Sequence, residues 1–288
     1  MFKECPRKFY LGMVQQWRAK SESVHLKFGI IIHAALETFD KARALGADYE
    51  EALDRAFDYA LRATWDNGPW QSDHPKKNRD SLLRTIVWYL ETYKDDKVTT
   101  VQLADGTAAV EVSFRVEFGY SYNSVDYLLC GHLDRLINYG DDIYVADRKT
   151  TSGAIGAYYF KQYSPHNQMS LYTLAGKVVY SAPVAGVVID AMQIGNGFSN
   201  FGRGFTLRTK SQLDEWLDDA QQWMEYEVEC ADRDKWPMNE NSCHNYYSNA
   251  TGTGGCPFLG ICNKDPAVRE AYLKTDFEKV EWNPLIPR

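Results

Sequence analysis

The sequence predicts an α+β fold: helices first, then a sheet, then a metal-bound tail. Three observations predict it. The first third carries apolar residues at three- and four-residue spacing, the middle alternates apolar and polar residues, and three of six cysteines fall close together near the end.

Each element follows from its own stretch. "FGIIIHAALETFDKARALG" is apolar at helical spacing and stops at Gly46, "EEALDRAFDYALRATW" repeats Ala and Leu every three or four residues, and "SLLRTIVWYLETY" predicts a third helix after the polar loop around Asp73 to Lys77. "AAVEVSFRVEF" then predicts a strand with Val110, Val112, Phe114, Val116 and Phe118 inward and Glu111, Ser113, Arg115 and Glu117 outward. "LDRLINYGDDIYVADRKT" predicts a hairpin about Gly140 and Asp141. After a loop at Thr151 to Gly156 come a helix in "HNQMSLYTLAGKVVY", an apolar strand in "VAGVVIDAMQIG" and a further strand in "GFTLRT". "SQLDEWLDDAQQWMEYEVECADRD" predicts a long helix with Ser211 as its N-cap, and from Trp236 onward the chain reads as irregular. The expected organisation is one domain over residues 1–288: a mainly helical part at 1–100, an αβ core at 101–235 and a cysteine-bearing tail at 236–288.

At 44% hydrophobic and 25% charged residues, the 288-residue chain has the composition of a soluble globular protein. A net charge of −7 leaves no global basic footprint, which argues against a passive nucleic-acid coat but not against a local basic groove. No apolar run reaches the length of a membrane span and the first residues do not form a signal peptide, so a cytoplasmic location is expected. In that compartment six cysteines point to metal rather than disulfides.

The hairpin raises a chemical question. With Gly140 and Asp141 as the loop, Tyr139 pairs with Asp142, and the same register sets Asp134 opposite Asp147 and His132 opposite Lys149, all four on one face. Two carboxylates with Cβ atoms about 5 Å apart destabilise a sheet. A divalent cation between them would compensate, since Mg²⁺ is satisfied by one or two carboxylates with waters and a substrate phosphate. The other reading is a solvated hairpin end whose acids pair with Arg135, Arg148 or Lys149.

Five segments in order carry a resemblance: "FKECPRKFYLG"; "FGIIIHAALE"; "CGHLDRL" with "VADRKT"; "HNQMSLY"; and Cys243, Cys256 and Cys262. The set, running from residue 5 to residue 262, resembles PD-(D/E)XK nucleases of the RecB/AddB exonuclease branch with a four-cysteine iron–sulphur cluster. It is similar to the CRISPR-associated adaptation exonucleases. The resemblance implies a restriction-endonuclease-like core: a central mixed sheet flanked by helices, with an N-terminal helical region and a tail stapled by a metal cluster.

It also implies roles. His33, Asp134, Asp147 and Lys149 would be the catalytic set. His33, Asp134, Asp147 and the backbone carbonyl of Arg148 would ligate Mg²⁺ or Mn²⁺, with Glu111 a further candidate where the family often has an acid. The cation would lower the pKa of a bound water and polarise the phosphate, while Lys149 positions the water or acts as base. Gln168 and Tyr172, four apart on one helix face, would contact the DNA backbone. Cys5, Cys243, Cys256 and Cys262 would hold a [4Fe–4S] cluster, although the interval from Cys243 to Cys256 is wider than the family's common gap. Zn²⁺ on four cysteines, or on three with His244, is the alternative that spacing alone does not separate.

The function implied is a metal-dependent DNA nuclease, an exonuclease hydrolysing phosphodiester bonds at DNA ends or in single strands, in recombination, repair or phage DNA processing. No helicase-like P-loop is present in the sequence, so a helicase or recombination partner would supply unwinding. No membrane partner is implied. The alternative is a non-catalytic DNA-binding or assembly module that retains the fold, against which the intact Asp134, Asp147 and Lys149 weigh. RNA is a further candidate substrate, since nothing in the sequence reads a 2′-hydroxyl.

Overall fold

Helices, strands and helices succeed one another as the sequence predicts in the computed structural model, which describes residues 1–20, 23–65, 70–180, 183–245, 255–281 and 283. In chain order the elements are α1 (Pro6–Phe9), β1 (Trp17–Ala19), α2 (Val24–Ala44), α3 (Tyr49–Thr64), α4 (Arg79–Thr92), β2 (Thr99–Thr100), β3 (Val110–Tyr122), β4 (Val125–Tyr139) and β5 (Asp142–Thr151). They continue as α5 (Ala157–Lys161), α6 (Asn167–Tyr180), β6 (Val184–Ile194), β7 (Ser199–Leu207), α7 (Lys210–Asp232), α8 (Leu259–Cys262), α9 (Arg269–Asp276) and β8 (Phe277–Lys279). The chain divides into two units, Met1–Glu22 with Asp214–Asn283, and Ser23–Leu213. The first residues cluster with the last part of the chain.

The larger unit is built on one mixed sheet in the order β2-β4-β5-β6-β7, with β3 also paired to β4. Only β5 and β6 run parallel, which requires the crossover that α5 and α6 supply. The strand β6, VAGVVIDAMQI, is buried almost throughout, as a parallel strand covered on both faces must be. Helices α2 and α4 press Phe28, Ile32, Leu36, Leu82 and Ile86 against Met192 and Ile194 of β6. A second core joins Met169, Tyr172 and Ala175 of α6 to Leu133, Val145, Val187 and Ile189 of the sheet. Fully burying one such aliphatic side chain contributes roughly 1.5–3 kcal/mol, so these two layers hold the sheet in place. Gly176 allows the close approach of α6: a Cβ there would lie 2.8 Å from Val145. This is the central mixed sheet flanked by helices that the sequence predicts.

Local signals explain the boundaries. The Asp48 side chain accepts from the Glu51 N–H at the start of α3, Asn78 and Ser81 form a capping box on α4, and Gly46 takes φ +93° just past α2. Tyr139 pairs with Asp142 around the Gly140–Asp141 loop, as expected. Three expectations need correction. Thr209, not Ser211, caps α7: its Oγ1 accepts from the Gln212 N–H at 3.2 Å while Gln212 Oε1 accepts from the Thr209 N–H at 2.9 Å. Strand β7 begins at Ser199 rather than Gly204, because its first residues pair with the end of β6. The stretch after Trp236 is not wholly irregular, since α8, α9 and β8 form there and β8 pairs with β1.

The smaller unit has its own core of Leu11, Phe258, Ile261, Leu273 and Phe277, and a second cluster around Phe2, Cys230 and Trp236. Residues 246–254 of the Gly-, Asn- and Ser-rich loop lie outside the described residues. Among the described residues, no helix is long and apolar enough to cross a membrane.

Candidate active site

Strand β5 alternates its side chains, and so sends Asp147 and Lys149 to the face covered by α6. Asp147 is 1% exposed, and Lys149 Nζ donates to its Oδ1 at 2.8 Å. The same ammonium lies 2.7 Å from Oδ2, but not in hydrogen-bonding geometry, and Oδ2 is buried without a hydrogen bond. Lys149 also donates to Gln168 Oε1 at 3.2 Å, and Gln168 Nε2 donates to the Tyr172 hydroxyl at 3.0 Å. The four-residue helical spacing of Gln168 and Tyr172 thus places both in one chain of polar contacts that ends on Asp147.

Asp134 arrives differently from the expectation. The β4–β5 ladder runs in the expected register only as far as Arg135 opposite Ala146. There the Asp134 carboxylate takes over as acceptor: its Oδ2 receives the Arg148 backbone N–H at 3.1 Å and lies 3.3 Å from His33 Nδ1 on α2. His132 therefore does not face Lys149; it pairs with Ser113 of β3, its Nδ1 lying 2.9 Å from the Ser113 hydroxyl. The sequence-predicted residues His33, Asp134, Asp147, Lys149, Gln168 and Tyr172 are linked as two polar groups, His33–Asp134–Arg148 backbone and Asp147–Lys149–Gln168–Tyr172.

Burial sets the protonation of both groups. It pushes the Asp147 carboxyl up to about 7, with Asp134 adding to the rise and Lys149 opposing it. It holds His33 below the usual histidine value, aided by Arg148 and Lys149 and opposed by Asp134, so the imidazole is neutral at neutral pH. Burial, followed by the charges of Asp147, Asp134 and Glu111, pushes the Tyr172 phenol up. Glu111 thus contributes to the field of the same site. It sits in β3 at φ +51°, between Val110 opposite Arg135 and Val112 opposite Leu133. A non-glycine residue held in that left-handed region costs about 1–3 kcal/mol, and such strain collects at functional sites.

Sequence reasoning missed the anchor behind these groups. Asp40, on α2 two helical turns beyond His33, is 3% exposed and receives Arg148 Nη2 at 2.6 Å and Arg135 Nη1 at 3.0 Å. Those arginines directly follow Asp147 and Asp134, so one carboxylate ties α2 to both acid-bearing strands from the opposite face. Burial lowers the Arg135 guanidinium despite Asp40. For Arg148 the burial effect is more than offset by Asp40, which holds it above its usual value. The available signal was an acid on the apolar side of a helix, matched by two "DR" pairs in the hairpin.

In the smaller unit Cys5 is buried and its Sγ accepts from the Asn239 N–H at 3.4 Å, while the Cys256 N–H donates to the Cys243 carbonyl at 2.9 Å. Burial pushes the Cys256 and Cys262 thiols up, with Cys243 adding to both and Cys5 to the first. All six cysteines are free. Among the described residues, no three of His, Cys, Asp or Glu are gathered into a metal-holding cage. The expected ligands are present as neighbours whose contacts are taken by Lys149 and the Arg148 N–H. Their chemistry fits a hard divalent cation: an orphaned buried carboxylate oxygen, a second carboxylate and a neutral imidazole. The four cysteines fit a soft metal or cluster in donor type.

A family model of the PD-(D/E)XK nuclease superfamily matches residues 1–263. The chain belongs to that superfamily. PD-(D/E)XK proteins are nucleases and typically use divalent metals, which agrees with the donor set around Asp147. No curated protein matches this PD-(D/E)XK chain. Among solved structures it is similar to one described as "Crystal structure of SSO0001", at 9% identity and a TM-score of 0.27, covering 70% of this chain and 87% of that one. A likeness that slight carries no argument.

Proposed function

We propose that this PD-(D/E)XK nuclease is a metal-dependent DNA exonuclease, acting at DNA ends or on single strands. The observation that supports the reading is Asp147: a buried carboxylate with one orphaned oxygen, bound to Lys149 and neighbour to the Asp134–His33 pair. Asp134, Asp147 and His33, with the Arg148 carbonyl, would hold Mg²⁺ or Mn²⁺. When bound, that cation supplies an acidified water and neutralises charge on the phosphate. Lys149, on the same face as Asp147, would hold the attacking water or meet the charge developing on the phosphate. Gln168 keeps the ammonium on that line, and Tyr172 donates to the strand's backbone. Glu111, whose charge already acts on Tyr172, would be a further candidate ligand. The setting the resemblance implies is recombination, repair or phage DNA processing, with unwinding supplied by a helicase or recombination partner.

The test is digestion of 5′- and 3′-labelled strands, single and duplex, with Mg²⁺, Mn²⁺ or chelator. Lys149→Met is expected to lower the rate by about 10²–10⁴-fold, the range for a positioned proton-transfer group. A chain that degrades no DNA with either cation, or that cuts equally well as Lys149→Met, would sink the reading.

We propose also that Cys5, Cys243, Cys256 and Cys262 carry a [4Fe–4S] cluster, supported by their meeting in one unit from distant parts of the sequence. Protein purified without oxygen is expected to contain iron and acid-labile sulphide. Stoichiometric zinc with no iron would refute the cluster.

A further inference from the structure

The side of α2 that presents His33 continues to Gly29 and His25. At Gly29 a Cβ would stand 3.6 Å from Thr150 Oγ1 of β5, so this side of the helix runs past the end of the strand that carries Asp147 and Lys149. His25 is exposed, and its ring meets the half-buried His74 with centroids 5.1 Å apart. Beneath them Lys77 is only 4% exposed, its Nζ 5.4 Å from the centre of the Phe28 ring.

Three features separate this cluster from an ordinary surface. No carboxylate among the described residues pairs with Lys77, and burial alone lowers its ammonium. An ammonium taken out of water without a counter-ion is costly, and most buried charges are paired. The imidazole of His74 is fixed: its Nδ1 accepts the backbone N–H groups of Lys76 and Lys77 at 3.1 and 3.0 Å, so its proton sits on Nε2, which is left as a donor. The loop itself is rigid, because Asn78 Nδ2 donates to the His74 carbonyl and the Ser81 hydroxyl to that of Lys76. Burial and the neighbouring cations, with no acid opposing them, lower both histidines. The site is a preformed set of donors lacking an anion.

We propose that His25, His74 and Lys77 bind a backbone phosphate of the nucleic-acid strand on which the active site acts. This rests on the nuclease reading. Eight helical residues separate His25 from His33, about 12 Å at 1.5 Å per residue. For a strand running along α2, at roughly 3.4 Å of rise per nucleotide, the bound phosphate lies about three to four nucleotides from the cleaved bond. Such a contact fixes the register of the strand over Asp147 without reading sequence. In the 510 Å³ cavity behind β5, Arg135, Arg148 and Arg203 are already paired with Asp40, Asp96 and Asp190, and Arg43 donates to the Ala47 carbonyl, so it offers no comparable buried cation.

The experiment measures binding, not turnover: anisotropy of a fluorescent single-stranded oligonucleotide with the full chain in chelator, over a salt series. Lys77→Met and His74→Gln are each expected to raise Kd roughly tenfold, and Lys77→Met to make the slope of log affinity against log salt shallower by about 0.7. Lys77→Arg, which keeps the cation, is expected to stay near the parent. In oligonucleotides with one methylphosphonate at each linkage in turn, the parent should lose affinity at one linkage where Lys77→Met loses none further. If Lys77→Met does not fold, His74→Gln carries the same comparison. Variants with the parent's affinity and slope would overturn the proposal, as would an affinity loss with no linkage singled out. A parent chain that neither binds nor cuts the strand would overturn the nuclease reading with it.

Discussion

Asp147→Asn is expected to lower cleavage by on the order of 10³-fold or more, and yet to raise the melting temperature of the metal-free protein. The loss follows from the charge: an amide cannot supply the anionic oxygen that holds the cation. The gain follows from burial. Asp147 is 1% exposed, one of its oxygens makes no hydrogen bond, and its carboxyl is pushed up to about 7, so the folded chain resists its ionisation. Because the folded value lies above the unfolded one near 3.9, the proton on Asp147 stabilises the fold fully below about pH 4, and that contribution is lost as pH rises through about 7. The asparagine variant has no such titration. Lys149, left without its anion, has a side chain 28% exposed and can turn to water. Melting curves in chelator at pH 5 and pH 8 should show the variant's advantage growing with pH, while Mg²⁺ should stabilise the parent alone. A variant that still cuts, or one that melts lower than the parent at pH 8, would contradict this account.

Asp40→Ala is expected to destabilise the larger unit by about 3–5 kcal/mol, the cost of removing one partner from a buried ion pair. Here one carboxylate serves two guanidiniums, with Asp40 and Arg148 3% and 6% exposed, so the substitution strands two positive charges side by side. In a domain of this size that is a fall of roughly 10 °C in Tm. Asp40 makes no contact with Asp134 or Asp147, but both arginines are their direct neighbours, so the acid pair loses its alignment with His33. Adding Arg148→Leu to Asp40→Ala should recover part of the stability, since the remaining uncompensated charge is then single. Urea unfolding of the four proteins gives the cycle directly. A loss under 1 kcal/mol for Asp40→Ala would show that the pairs are not what fixes α2 to the sheet.

Much of this site was legible because short-range rules decide it. The Gly140–Asp141 turn and the two-residue period set the hairpin register, and the four-residue period set Gln168 beside Tyr172. What was not legible depends on contacts no local period encodes. The ladder is regular only as far as Arg135 opposite Ala146, and beyond it the Asp134 carboxylate accepts the Arg148 N–H, so the two acids are not a facing pair of that ladder. Asp40 reaches Arg148 across 108 positions, and no local period links the two. The left-handed turn of Glu111 interrupts a strand whose apolar–polar alternation reads as unbroken in sequence. The cap of α7 falls on Thr209 because Thr209 and Gln212 satisfy one another's backbone N–H groups.

The groups around Asp147 come from α2, β4, β5 and α6, and β5 is enclosed only once β6 lies beside it. A chain still lacking Val184–Ile194 leaves one edge of β5 unpaired, so the enclosure that keeps Asp147 out of water is completed only by residues far downstream of His33.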